Sequence, residues 1–171
     1  MRNLIEEGNY WDLMVAHPPC TYLANSGVRW LYKDGYRDVY NAEGEIRLNE
    51  ERLKKMTEAS KFFWDLCNAP IPHVCVENPI PHGWAGLPDY HQIIQSWMFG
   101  EDASKKTCLW LKNLPELEPT NVLIKERYAN QTLSGQNKLG PSKDRWKDRS
   151  RTYQGIADAM ADQWMKYLRG L

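Results

Sequence analysis

Cys20 follows Pro18 and Pro19, and Glu77 stands directly before Asn78 and Pro79. The two prolines stiffen the first loop and remove two backbone donors from it. A cysteine on a rigid loop at the carboxyl end of a strand is placed for nucleophilic attack, provided its thiolate is stabilised. Otherwise it is an inert loop thiol. Glu77 ends the short run His73-Val74-Cys75-Val76, so its carboxyl group must be solvated or hydrogen-bonded at the tip. A protonated glutamate there donates to N3 of a pyrimidine while its neighbours accept from the exocyclic amine. The plain alternative is a surface acid beside a turn-forming Asn-Pro.

The elements that must carry these residues follow from local pattern. Residues 2–8 look like the end of a short helix stopped at Gly8. Residues 11–16, Trp-Asp-Leu-Met-Val-Ala, form a compact run ending at Pro18 and read as a buried parallel strand opening into a loop. Residues 25–48 carry Gly27, Gly35 and Gly44 among many Tyr, Asp and Arg, and read as a long irregular excursion of the kind that is either functional or disordered. Asn49 caps the next element, with Glu50 and Glu51 in its first turn and Leu53, Met56, Ser60, Phe63 and Cys67 at helical spacing. Pro70 and Pro72 end it. A second short strand follows at 73–76 and a third at 107–111. A closing helix presents Ile156, Met160, Trp164 and Leu168 as one stripe. The fold class expected is α/β, with a mostly parallel sheet of roughly four to six strands. In such sheets ligands lie at the strands' carboxyl edge.

Bulk composition narrows the partners. The 171 residues are 42% hydrophobic and 26% charged, which suits one domain with a real core. A formal net charge of zero argues against tight, non-specific binding of duplex DNA and leaves single nucleotides open. Eight Trp and nine Tyr build core or line a groove, and flat rings also stack on bases. Cys67, Cys75 and Cys108 sit in apolar runs as small core residues, and no zinc spacing occurs, so no metal is expected. Without a leader pattern or a long apolar run, a reducing, cytoplasmic setting with no membrane partner is expected.

Taken together, Ala16-His17-Pro18-Pro19-Cys20 is similar to the nucleophile loop of cytosine-C5 DNA methyltransferases, and Val76-Glu77-Asn78 resembles their Glu-Asn-Val motif one helix and one strand later. The stretch from Trp97-Met98-Phe99-Gly100 through Ser104-Lys105-Lys106 into 107–111 resembles the family's aromatic-Gly and Gln-x-Arg-x-Arg segment. Ser150-Arg151-Thr152-Tyr153 sits where the family's last motif returns the chain to the fold. In detail the chain resembles the compact, phage-type methylase-like proteins. The resemblance implies a truncated Rossmann-like methyltransferase fold, a single domain over 1–171, with 112–150 an irregular insert in place of a target-recognition domain. It implies Cys20 as the nucleophile on C6 and Glu77 as the partner of N3, on a base of the kind these enzymes flip out of DNA. Pro18, Pro19, Asn78, Lys106 and Arg151 become substrate contacts, joined by Asn25 and Arg29 from their place in the loop.

The departures are as specific as the match. Lys106 stands for the family's first Arg, and Cys108 for the second. About ten residues precede the Cys20 strand and no Gly-x-Gly run occurs, so set against the family the chain is expected to lack the donor-binding segment. S-adenosylmethionine is therefore expected only with a partner chain, and an exposed sheet edge would need covering by a homo-oligomer or a partner subunit. The ligand is then a nucleotide or a DNA base, either modified through Cys20 or merely bound or sequestered, as in phage counter-defence. A relic scaffold is the blandest outcome.

Three further features have competing readings. His17 either orients or activates the Cys20 loop, or caps a backbone carbonyl. His82 and His91 are structural. Lys138, Lys143, Arg145, Lys147, Arg149 and Arg151, with Trp146 among them, either hold phosphates or form a solvated loop.

Overall fold

The computed structural model describes residues 10–33, 40, 43–140, 142–143 and 150–170. The expected helix over 2–8, part of the 25–48 excursion and the central basic residues Arg145, Lys147 and Arg149 lie outside them. The described elements are β1 (Leu13–Ala16), α1 (Glu50–Cys67), β2 (His73–Asn78), β3 (Gln92–Gln95), β4 (Lys106–Lys112) and α2 (Gln154–Gly170), with short 3-10 turns at Asn25–Leu31, Gly83–Ala85 and Ser96–Met98. No helix among the described residues is long and apolar enough to cross a membrane.

The architecture is mixed α/β, with strands in the order β1-β2-β4-β3. β1 and β2 are parallel, pairing Leu13 with His73 through Ala16 with Val76. β4 runs antiparallel to β2, pairing Val74 with Lys112 through Asn78 with Cys108. The sheet is thus mostly antiparallel with one parallel pair, which corrects the expectation of a mostly parallel sheet. The cause lies between β2 and β4. A parallel neighbour needs a crossover, usually helical. The connection here is broken by Pro79, Pro81, Pro88, Gly83 and Gly86 and forms only turns and a short strand.

The chain divides into two compact units. The first comprises residues 1–92 and 108–113, the second residues 93–107 and 114–171. In the first, α1 begins where Asn49 Oδ1 accepts from the Arg52 amide at 3.0 Å, satisfying one of the orphan donors of the first turn. Met56, Phe63 and Leu66 of α1 then pack on the sheet face formed by Val74, Val76, Cys108 and Trp110. Phe63 meets Trp110 edge-on at 4.8 Å, and the Trp110 indole donates to the Pro88 carbonyl at 2.7 Å. Burying each such side chain contributes about 1.5–3 kcal/mol, which is what holds β2 and β4 against α1.

In the second unit α2 buries Ile156, Ala159, Met160 and Trp164. The Trp164 indole donates to the Pro115 carbonyl at 3.0 Å. Glu101 Oε1 accepts from the Gly155 amide at 3.1 Å and so caps the helix start. Between 113 and 143 the described residues form only turns and isolated bridges.

Gly155 has a strict steric reason. A Cβ at that position would stand 1.9 Å from the Phe99 carbonyl oxygen, a backbone atom with little freedom to yield. Gly155→Ala is expected to destabilise the protein by about 3 kcal/mol or more, the upper range for overpacking, in urea denaturation. Gly83→Ala, where nothing lies within 4 Å, is the matched control and is expected to change stability much less.

Candidate functional site

The site is set by the parallel pair. With Ala16 alongside Val76, one further step of the register brings His17 alongside Glu77. Side chains at paired positions share a face of the sheet. His17 Nδ1 accordingly lies 3.1 Å from Glu77 Oε2, with side-chain exposures of 42% and 14%. His17 thus meets neither a backbone carbonyl nor the Cys20 loop through this nitrogen. It meets the carboxylate. Because both strands run the same way, the Pro18-Pro19-Cys20 loop and Glu77 leave the sheet at one rim.

Asn78 turns to the opposite face, as alternation requires. It is fully buried, and its Nδ2 donates to the Pro18 carbonyl at 3.3 Å, so it fastens the stem of the Cys20 loop from behind. Its Oδ1 has no partner among the described residues. A buried acceptor left unpaired costs about 1–3 kcal/mol, so the anchoring bond stands beside an unrecovered penalty. Pro18 is buried with it, whereas Pro19 is exposed and Cys20 half-buried.

Beyond the thiol the chain turns back at once. The Cys20 carbonyl accepts from the Leu23 and Ala24 amides at 3.1 and 2.9 Å. The His82 amide donates to the Leu23 carbonyl at 2.8 Å, and the Asn25 amide to the Ile80 carbonyl at 2.9 Å. The loops after β1 and β2 are thereby laced together, and Asn25 stands on that seam. From α1, Arg52 donates to the Thr21 carbonyl at 2.8 Å while its guanidinium covers the Tyr22 ring at 4.8 Å. Arg52 was not legible as a site residue, because no pattern links a helix arginine to a carbonyl thirty positions away.

The remaining candidates divide. Arg29 is exposed, and its guanidinium lies over the Trp30 ring at 4.3 Å. Lys106 and Arg151 belong to the second unit, each exposed, and there Lys105 Nζ donates to the Arg151 carbonyl at 3.1 Å. Lys138 donates to the Ala129 carbonyl at 2.9 Å. His82 Nδ1 accepts from the Trp84 amide at 3.2 Å, and His91 Nδ1 from the Leu111 amide at 3.0 Å, so both rings serve the backbone. No group of three His, Cys, Asp or Glu among the described residues is arranged to hold a metal ion. A hollow under the 25–31 turn is lined by Tyr22, Ala24, Arg52, Met56 and His82 among others, and includes neither Cys20 nor Glu77.

The other three cysteines are held as thiols by their surroundings. Burial pushes the Cys67 thiol up to about 11. Burial, with the Glu77 charge second, pushes Cys108 up to about 11. Cys75 is raised for the same two reasons in the same order, with Cys67 a smaller third. All three stay thiols at neutral pH. Neither a protein-family model nor a curated protein matches the chain.

Two outcomes follow. Native protein treated with iodoacetamide at pH 8 is expected to be alkylated first at Cys20, with Cys75 and Cys108 reacting only on unfolding; peptide mass spectrometry reads the order. Because the folded-state values of Cys67 and Cys108 exceed the ordinary thiol value of 9.0, the unfolded chain ionises first as pH rises. Their contribution to stability is therefore complete below about pH 9 and is lost as pH climbs towards 11. The urea midpoint is expected to fall across that interval, and less so in Cys67→Ala.

Proposed function

We propose that this chain is a cytosine-C5 methyltransferase-like protein that takes a cytosine base or nucleotide at the carboxyl rim of β1 and β2 and adds Cys20 to C6 of the ring. The observation that carries the reading is the parallel register, which delivers the Cys20 loop and the half-shielded Glu77 to the same rim. The scaffold would be a curtailed Rossmann-like one, with the β1–β2 pair as its surviving parallel portion.

The chemistry needs no donor to begin. The Cys20 thiolate forms a C–S bond at C6, the C5–C6 electron pair shifts through the ring, and N3 takes a proton from Glu77. C5 then carries nucleophilic character and accepts a proton from water. The hydroxide left from that water removes the original C5 hydrogen, N3 returns its proton to Glu77, and the C6–S bond breaks to release the thiolate, so the ring is restored with a solvent hydrogen at C5. S-adenosylmethionine, held by a partner chain, would supply a methyl group at that carbon instead.

A second reading, of a protein that binds or sequesters the nucleotide without turnover, draws on the zero net charge. One experiment separates the two. Incubation with dCMP in D2O is expected to erase the H5 proton signal in NMR, and Cys20→Ser is expected to abolish the exchange while calorimetry still detects dCMP binding. Binding without exchange in the wild type selects sequestration. No binding at all refutes both.

We also propose a homo-oligomer or a partner subunit. Light scattering at micromolar concentration is expected to give a mass above that of one chain, and a stable monomer with full dCMP exchange activity would refute this.

A further inference from the structure

We infer that His17 is a positioning residue for Glu77, acting as the hydrogen-bond donor that steadies the charge left on the carboxyl group when its proton passes to the base. This role rests on the reading of the rim as a pyrimidine site. The ground for it is the register: His17 is the first residue beyond β1, Glu77 the penultimate residue of β2, and their side chains meet at 3.1 Å on one face of the sheet.

The chemistry of the contact is directional. With the Glu77 proton placed on Oε1, Oε2 is an acceptor in the acid and in the carboxylate alike, so in this assignment Nδ1 carries the hydrogen. That bond fixes which ring nitrogen is protonated, as a carboxylate partner does for catalytic and metal-bound histidines. It also engages Oε2, leaving Oε1 as the oxygen available to a base edge. During addition, the Sγ–C6 bond forms, the ring electrons move towards N3, and N3 takes the proton from Oε1. The negative charge then spreads over both oxygens. Nδ1–H donates to the one it already holds, and the bond strengthens as the charge develops. On elimination the proton returns to Oε1. Addition and its reversal leave both partners unchanged, and exchange at C5 uses water alone.

His17 does this without touching the ring of the nucleotide, so its removal should alter the rate of proton movement more than affinity. An asparagine at the same position places its amide N–H close to where Nδ1–H stood, which separates a donor role from any need for an imidazole.

The first test needs no ligand. Nitrogen-15 NMR of the free protein is expected to show neutral His17 protonated at Nδ1, and Glu77→Gln to change that pattern. A neutral His17 protonated only at Nε2 would overturn the inference outright. The second test uses dCMP in D2O. His17→Ala is expected to slow H5 exchange about tenfold or more, a fraction of what loss of a fully enclosed donor costs, with dCMP affinity kept within about threefold. His17→Asn is expected to recover most of the rate. Equal exchange rates in wild type and His17→Ala would remove the role of His17 and leave the proposed function standing. Wild type that neither binds dCMP nor exchanges its H5 would remove both.

Discussion

The alignment of β1 with β2 is the constraint on which the rest of the site depends. Four paired positions, from Leu13 with His73 to Ala16 with Val76, decide which side chains share a face and where each strand delivers its last residue. A slip of one residue would send Glu77 into the face packed by α1 and bring Asn78 out in its place. The register is in turn held by what lies on that packed face. Val74 and Val76 are locked between Phe63, Leu66 and Trp110, so hydrophobic burial on one side of the sheet fixes polar geometry on the other.

Polar anchoring then refines what packing fixes coarsely. Asn78 holds Pro18 from the buried side, and Arg52 holds Thr21 from α1. The Cys20 turn is therefore suspended between two charged or polar anchors whose own positions depend on the core. Glu77 also acts inward: its charge adds to burial in raising the Cys108 and Cys75 thiols.

Much of this was visible in the residues. The Asn49 cap and the spacing of Leu53 to Cys67 specified α1 within a residue, because both signals are local. Apolar runs ending at prolines located β1 and β2, and one following the turn around Gly100 located β4, though β2 runs on through Glu77 and Asn78. β3 escaped notice, since Gln92-Ile93-Ile94-Gln95 offers only two apolar residues and no alternation. Strand direction escaped too: an apolar run reads alike whichever way its neighbour runs, so the antiparallel β4 could not be told from a parallel one. Within the candidate site, Cys20 and Glu77 stood out by type and position, and the pairing of His17 with Glu77 did not. That pairing depends on register between segments sixty positions apart, and no short-range pattern records it.

The way the Cys20 turn is fastened has a consequence for how the molecule comes into being. Beside its two local bonds to the Cys20 carbonyl, its ties reach Arg52, Asn78, Ile80 and His82, so most of the bonds that shape it span tens of positions along the chain. Closing such long loops is slow, and it is rewarded only once the distant partners are in place. A growing polypeptide therefore carries its cysteine as an ordinary thiol on a shapeless segment until His82 has been made and α1 has docked. The rim arrives with the completed unit, and damage to α1 would dissolve it without altering a single residue in it.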